Sequence, residues 1–239
     1  MKNAETKLPE LLSSIGLDLS PDQAGRLIRF LELLLDANQT VNLTAITDFD
    51  EALIKHVYDS LTIMTLPEFQ IAGTIIDIGS GGGIPVIPLA ICNPGKHFVS
   101  LEATNKKLNF QIEAARFLKL INFTPIWGRA EAVAKEAKHR EAYDLAIARA
   151  VAPLNILAEL TIPFVKVGGN AIYYKGKDAS AELMQGTDAA HILGAEFEGS
   201  ESFQLPSGTG SRTLIKFRKK TVTPSLYPRK PGIPQKKPL

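Results

Sequence analysis

Between residues 21 and 37 the apolar positions Leu27, Phe30, Leu31 and Leu34 recur three and four apart, which gathers them on one face of an α-helix. Ser20, followed by Pro21 and then by Gln23 three residues after the serine, reads as a capping box with proline at the first helical position. The pattern predicts an amphipathic helix over 21–37. Thr47, with Asp50 three residues on, predicts the start of another that runs through EALIKHVYDSLTIM. ANQTVNLTAI, residues 37–46, is expected to be an irregular connection between the two, so the first ~65 residues read as helical throughout.

From Gly73 the texture changes. TIIDI (74–78), HFVSLE (97–102), FTPIW (123–127), YDLAIA (143–148) and NAIYY (170–174) are short β-branched runs separated by helical stretches such as NKKLNFQIEAARFLKL. Strand and helix at this rhythm predict βαβ units and a parallel sheet. FEGSESFQLP and SRTLIKFRK, joined by Ser207-Gly208-Thr209-Gly210, predict instead an antiparallel hairpin. Five prolines in the last 16 residues predict an extended tail rather than a packed element. The expected organisation is α/β: a helical N-terminal extension (1–70), a core (71–220) and a basic, proline-rich tail (221–239).

Composition narrows the classes. At 239 residues and 45% hydrophobic content the chain can bury a substantial interior, and no apolar run approaches the ~18 residues that a membrane helix needs. The polar start MKNAETKLPE lacks a secretory apolar region, so a cytoplasmic protein with no membrane partner is expected. One cysteine, Cys92, rules out an intramolecular disulfide and a cysteine-based zinc site. The four histidines are scattered, so no structural metal is expected. Net charge is only +2, yet residues 218–239 hold seven basic residues and no acid, leaving −5 on the rest. A tail this basic suggests a polyanionic partner such as RNA. No heptad or repeat points beyond a monomer.

The candidate chemistry starts at IIDIGSGGGIPVIPLAI, residues 75–91. Gly79, Gly81 and Gly83 follow a strand, where glycine permits positive φ and lets a ligand approach the backbone. A dinucleotide fingerprint needs its third glycine at position 84, which is Ile84, and this weighs against a nicotinamide dehydrogenase. Glu102 ends the next strand, 23 residues after Gly79, where an acid can accept hydrogen bonds from both hydroxyls of a ribose. Gly128-Arg129-Ala130-Glu131 follows FTPIW and is suitably placed to meet an adenine edge. S-adenosylmethionine fits this set better than a dinucleotide, because it has no pyrophosphate to lodge under a third glycine.

NLTAI (42–46), KHVYDSL (55–61), DIGSGGGIPVIPLAI (77–91), GRAE (128–131), IARAVAPL (147–154), YYKGK (173–177) and YPRKPGIPQKKPL (227–239) occur in that order. Together they resemble the bacterial 16S rRNA guanine-N7 methyltransferases, the glucose-inhibited division protein B family, over nearly the whole chain. The resemblance implies a class I S-adenosylmethionine-dependent methyltransferase fold, Rossmann-like with seven strands. It also implies S-adenosyl-L-methionine as donor, and as acceptor a guanine in the 530 loop of 16S rRNA, position 527. Carried over by position, it places Gly79, Gly81, Ile84, Glu102, Ala103, Thr104, Ala130, Glu131 and Arg149 in the cofactor site. Gly82 stands where many family members have alanine, a departure expected to change little sterically.

Methyl transfer to guanine N7 is an in-line displacement by a lone pair on an atom that carries no proton, so positioning rather than a general base is required. Cytosine C5 methylation would need a cysteine nucleophile, and Cys92 falls in a helical stretch away from the expected place. Arg149, at the end of strand YDLAIA, is the foremost candidate: it is expected to hold the cofactor's carboxylate or guanine O6, the alternative being a structural salt bridge to Glu131 or Glu102. His56 and Asp59, three apart, could pair near the RNA. His56, Lys175, Lys177, Arg212, Arg229 and Lys230 are the candidate RNA contacts, with Lys106 and Lys107 as further basic surface, and Tyr58, Tyr173 and Tyr174 are candidate stacking partners for the base.

Overall fold

The structure, a computed structural model, describes residues 4–149, 152–176 and 179–239. Seven strands form one sheet in the order β3-β2-β1-β4-β5-β7-β6. β1 (Thr74–Ile78), β2 (His97–Glu102), β3 (Phe123–Trp127), β4 (Tyr143–Arg149) and β5 (Val165–Lys175) run parallel. β7 (Ser211–Lys219) is antiparallel to β5 and to β6 (Ala195–Gln204), so the expected hairpin forms the sheet's edge. Chain order reverses between β1 and β4, and this switch opens a crevice above the C-terminal ends of the strands. β5 begins five residues before the run visible in the sequence, because exposed Lys166-Val167-Gly168 hides its first half.

The N-terminal helices are α1 (Ala4–Ser13) and α2 (Pro21–Val41). Ser20 and Gln23 close the capping box reciprocally, at 3.2 and 2.9 Å. α2 runs past 37, into the stretch expected to be irregular, and stops where Asn42 turns left-handed (φ 55°) while Asn38 Oδ1 accepts the N–H groups of Leu43 and Thr44. The next helical run is capped by Asp48 rather than Thr47: the Asp48 carboxylate accepts from Glu51 N at 2.8 Å. It passes from α3 (Phe49–Ala52) through a π-helical segment (Leu53–Tyr58) into α4 (Asp59–Leu61), a 3-10 turn (Thr62–Thr65) and α5 (Pro67–Ile71).

The crossover helices are α6 (Val86–Cys92), α7 (Asn105–Phe117), α8 (Ala130–Val133), α9 (Leu154–Thr161) and α10 (Ala179–Ile192), and α11 (Ile233–Lys236) lies in the tail. Alternation along β1 sends Ile75 to one face and Ile76 to the other. On the first face Leu8, Leu27, Phe30 and Leu61 pack with Leu89, Phe98 and Tyr174, so the N-terminal helices share the sheet's core. On the second, Leu157, Phe164, Ala190 and Phe217 close over Ile76 and Val99. No helix among the described residues is long and apolar enough to cross a membrane.

The tail corrects the expectation of an extended, unpacked segment. Arg229 donates from its backbone N, Nε and Nη2 to the buried Glu159 carboxylate, at 2.5–3.0 Å. Arg140 donates to the carbonyls of Thr223, Pro224 and Tyr227, and Gly232 N donates to Glu131 Oε1 at 2.9 Å. Asn155 Nδ2 reaches the Leu239 carbonyl, and Pro234 is buried. Buried acids of the second face thus receive the tail, and its prolines reduce the entropy lost on ordering it.

Candidate active site

The loop after β1 is shaped by its glycines. Gly79, Gly81 and Gly83 have φ of 73°, 57° and 80°, a region costly for a residue with a Cβ. A Cβ on Gly83 would lie 2.4 Å from Ile87 Cδ1 of α6, whereas around Gly81 the space is open. Gly82 is less neutral than expected: a Cβ there would come 2.7 Å from Leu34 Cδ1, so an alanine requires the end of that side chain to move. Beneath the loop Ser80, Ser100 and Gln111 bond one another, and Gln111 Nε2 holds the Gly81 carbonyl at 2.7 Å.

Glu102 closes the loop from β2. Its Oε2 accepts from Gly81 N at 2.9 Å and its Oε1 from Thr104 N at 2.7 Å. Above it lies a cleft of about 280 Å³ lined by Gly79, Glu102, Ala103, Thr104, Ala130 and Glu131, by Ile78 and Leu160, and by Gln235 from the tail. Six of the nine positions assigned by resemblance to a cofactor site therefore share one cavity, while Gly81, Ile84 and Arg149 are outside its lining. Gly81 joins it through Glu102, and Ile84 is buried in the first-face core.

Asp77, one residue before Ile78, is fully buried on β1. Among the described residues neither of its carboxylate oxygens completes a hydrogen bond, although Val86 N–H is close enough to favour the anion. Burial pushes its carboxyl well above the usual carboxylate range. An unpartnered buried acid beside a glycine loop suits a cationic ligand.

Arg149 points elsewhere. Nη1 donates to the Lys55 carbonyl (2.8 Å) and to Asp59 Oδ2 (2.9 Å), and Nη2 faces His56 Nδ1 at 3.0 Å. Arg212 forks onto the same carboxylate through Nε (2.7 Å) and Nη2 (2.6 Å), so Asp59 is gripped by two arginines. The acid that pairs with Arg149 is Asp59, neither Glu131 nor Glu102. His56 and Asp59 both meet Arg149 rather than each other, and both are buried. Since Nδ1 accepts from Arg149, Nε2 carries the proton and donates to Thr44 Oγ1 at 2.7 Å. Burial, followed by the nearby Arg149 charge, lowers the imidazole to about 4.

The candidate RNA contacts separate by exposure. His56, Arg212 and Arg229 are held in the interior pairs described above, and Lys175 is bound to Glu182 (2.7 Å) and the Ala152 carbonyl (3.0 Å). Lys177 lies outside the described residues. Lys230 and Lys106 are exposed. Tyr58, Tyr173 and Tyr174 are core residues: Tyr173 meets Thr161 Oγ1 and Tyr174 donates to the Ser60 carbonyl. The exposed aromatic beside the cleft is Trp127, whose Nε1 donates to the Ala103 carbonyl at 3.1 Å.

Residues 23–210 match the GidB family, described as rRNA small subunit methyltransferase G. The chain belongs to this family. It is 41% identical over 239 residues, the full length of both chains, to the ribosomal RNA small subunit methyltransferase G of Moorella thermoacetica. It is 40% identical over 230 residues, 96% of this chain and 97% of the relative, to that of Brevibacillus brevis. A putative O-methyltransferase from Klebsiella pneumoniae shares the fold at 13% identity, with a TM-score of 0.56 over 92% of this chain and 99% of that one. The glycine loop and Glu102 were legible as motif and spacing. Asp77 stood in the quoted motif, but a β-branched run gives no sign that an acid within it lacks a partner. Gln235 and Trp127 carried no local signal, since only folding brings them to the cleft.

Proposed function

We propose that this member of the small-subunit rRNA methyltransferase G family, an rRNA methyltransferase, moves a methyl group from S-adenosyl-L-methionine to N7 of an unpaired guanine in the 530 loop of 16S rRNA. The observation that carries the reading is the cleft above β1–β3, where Gly79, Glu102, Ala103, Thr104, Ala130 and Glu131 converge. Its residues fit an adenosine-bearing cation. Each Glu102 oxygen spends one lone pair on the backbone and keeps another for a ribose hydroxyl. The Gly81 backbone is approachable without a Cβ. The buried Asp77 carboxyl, unpartnered and protonated while the site is empty, stands one residue before the cleft's Ile78 and can give up its proton when a cation binds. When bound, S-adenosylmethionine supplies a methyl group made electrophilic by the sulfonium.

The chain's part is then to orient and to exclude water. N7 has no proton to lose, and His56, committed to Thr44 and Arg149 and lowered to about 4, is not arranged as a general base. The Cys92 thiol is buried and pushed up to about 12, which removes the thiolate that a covalent route would use. Arg149 acts as a positioning residue, fixing the 55–59 segment against the C-terminal end of β4. N7 of a paired guanine faces the deep major groove of A-form RNA, so the target is unpaired or flipped out. Exposed Lys230, Lys236 and Lys237 give the tail a basic outer surface for that RNA, and the protein works as a monomer.

The test is transfer of labelled methyl from S-adenosylmethionine to small-subunit rRNA from cells lacking the gene, on free RNA and on subunits, followed by nucleoside digestion. Label in 7-methylguanosine at one 530-loop position is the expected result. Label in another nucleoside, or none on either substrate, overturns the proposal.

A further inference from the structure

Gln235 lines the same cleft as Gly79, Glu102 and Glu131, although it comes from the far end of the chain. Its position is held from both sides. Six residues before it, Arg229 is locked by four hydrogen bonds onto Glu159, whose side chain is 1% exposed. Three residues before it, Gly232 N is bound to the buried Glu131 carboxylate, and the adjacent Pro234 is itself buried. Beyond it, the Leu239 carbonyl is held by Asn155. The Gln235 side chain is exposed and makes no hydrogen bond among the described residues, so its carboxamide is free for a ligand.

Resting on the cofactor reading above, we infer that the C-terminal segment forms one wall of the S-adenosylmethionine site and that Gln235 binds the adenine end. The Gly232–Glu131 bond ties the segment that carries Gln235 to α8, whose Ala130 and Glu131 line the cleft with it, whereas Glu102 enters from β2. A carboxamide sets an N–H donor beside a carbonyl acceptor, the complement of an adenine edge with its amine beside a ring nitrogen. It does so without bringing a charge to a neutral base, although the tail around it is basic. One oxygen of Glu131, the acid whose position suggested an adenine contact, is used instead to dock the segment that delivers Gln235.

The experiment measures binding of S-adenosylhomocysteine and of 5′-methylthioadenosine, which keeps the adenosine and lacks the amino acid, to the full chain and to Gln235→Ala. Calorimetry is the first readout. The second is fluorescence of Trp127, the one tryptophan, which is bonded to the cleft's Ala103. Gln235→Ala is expected to weaken both ligands by roughly five- to tenfold, the worth of a hydrogen bond or two, with melting temperature and RNA affinity unchanged. A chain ending at Lys230 keeps the Arg229–Glu159 pair and is expected to lose more. Unaltered affinity in both variants overturns the inference and leaves the cofactor reading standing. Loss confined to S-adenosylhomocysteine moves Gln235 to the amino-acid end and overturns the adenine assignment. If the unaltered chain binds neither ligand, the cofactor reading falls and the inference falls with it.

Discussion

Glu102 ties two backbone gaps with one carboxylate, holding the N–H of Gly81 in the glycine loop and that of Thr104 in the cleft's lining. Glu102→Ala leaves both without that acceptor, for an expected loss of about 1–3 kcal/mol together with cofactor binding; urea unfolding and calorimetry check the two effects separately. Asp77 works in the opposite sense. Its folded-state pKa is raised above the ordinary 3.8, so the folded protein holds a proton that the unfolded chain has released. The associated stability is present below about pH 4 and is lost as pH climbs through the raised value. Asp77→Asn is therefore expected to stabilise the ligand-free protein at neutral pH. It is also expected to weaken S-adenosylmethionine more than S-adenosylhomocysteine, which lacks the sulfonium charge. His56 is lowered from 6.5 to about 4, so the stability linked to its neutral form is present above pH 6.5 and is lost as pH falls toward 4. His56→Gln should flatten the acid limb of the stability profile, by an amount on the order of 3 kcal/mol.

Elements with a local signature were legible in the sequence, and those made by distant partners were not. The capping box before α2, the β-branched run of β1 and the hairpin of β6 and β7 are each written within a few residues. The end of α2 depends on Asn42 adopting a left-handed conformation, which its type permits but does not announce. The tail is the clearest miss. Charge and proline content describe a solvated chain unless one knows that Glu159 and Glu131 wait on the second face. Motif and spacing found Gly79, Glu102, Ala130 and Glu131, and the family resemblance added Ala103 and Thr104, yet neither could show that Arg149 and Arg212, far apart in sequence, converge on Asp59. The tail's anchor makes an element-scale prediction: Arg229→Ala strands the Glu159 carboxylate in the core and should cost about 3–5 kcal/mol. The double variant Arg229→Met with Glu159→Leu should recover much of that loss in a thermal-unfolding cycle.

For the whole molecule, the fold divides the basic residues into those that hold it together and those that face outward. Of the seven in 218–239, Arg229 and Lys219 are paired with Glu159 and Glu141, and Arg218 is bonded to Asn170. Lys219 is so far withdrawn from water that burial lowers it to about 8. Lys220, Lys230, Lys236 and Lys237 remain exposed, and Lys220 has Glu196 at 3.8 Å. The tail's contribution to RNA affinity should follow that exposed set rather than the seven formal charges. With about 0.7 counterions released per neutralised phosphate on single-stranded RNA, replacing Lys230, Lys236 and Lys237 with alanine should reduce the slope of log K against log salt by roughly 2. Replacing Arg229 should leave the slope as it was while lowering the melting temperature. Titrating a 530-loop RNA at several salt concentrations distinguishes the outcomes, because a slope unchanged by the triple replacement would mean that the phosphates rest on another face of the protein.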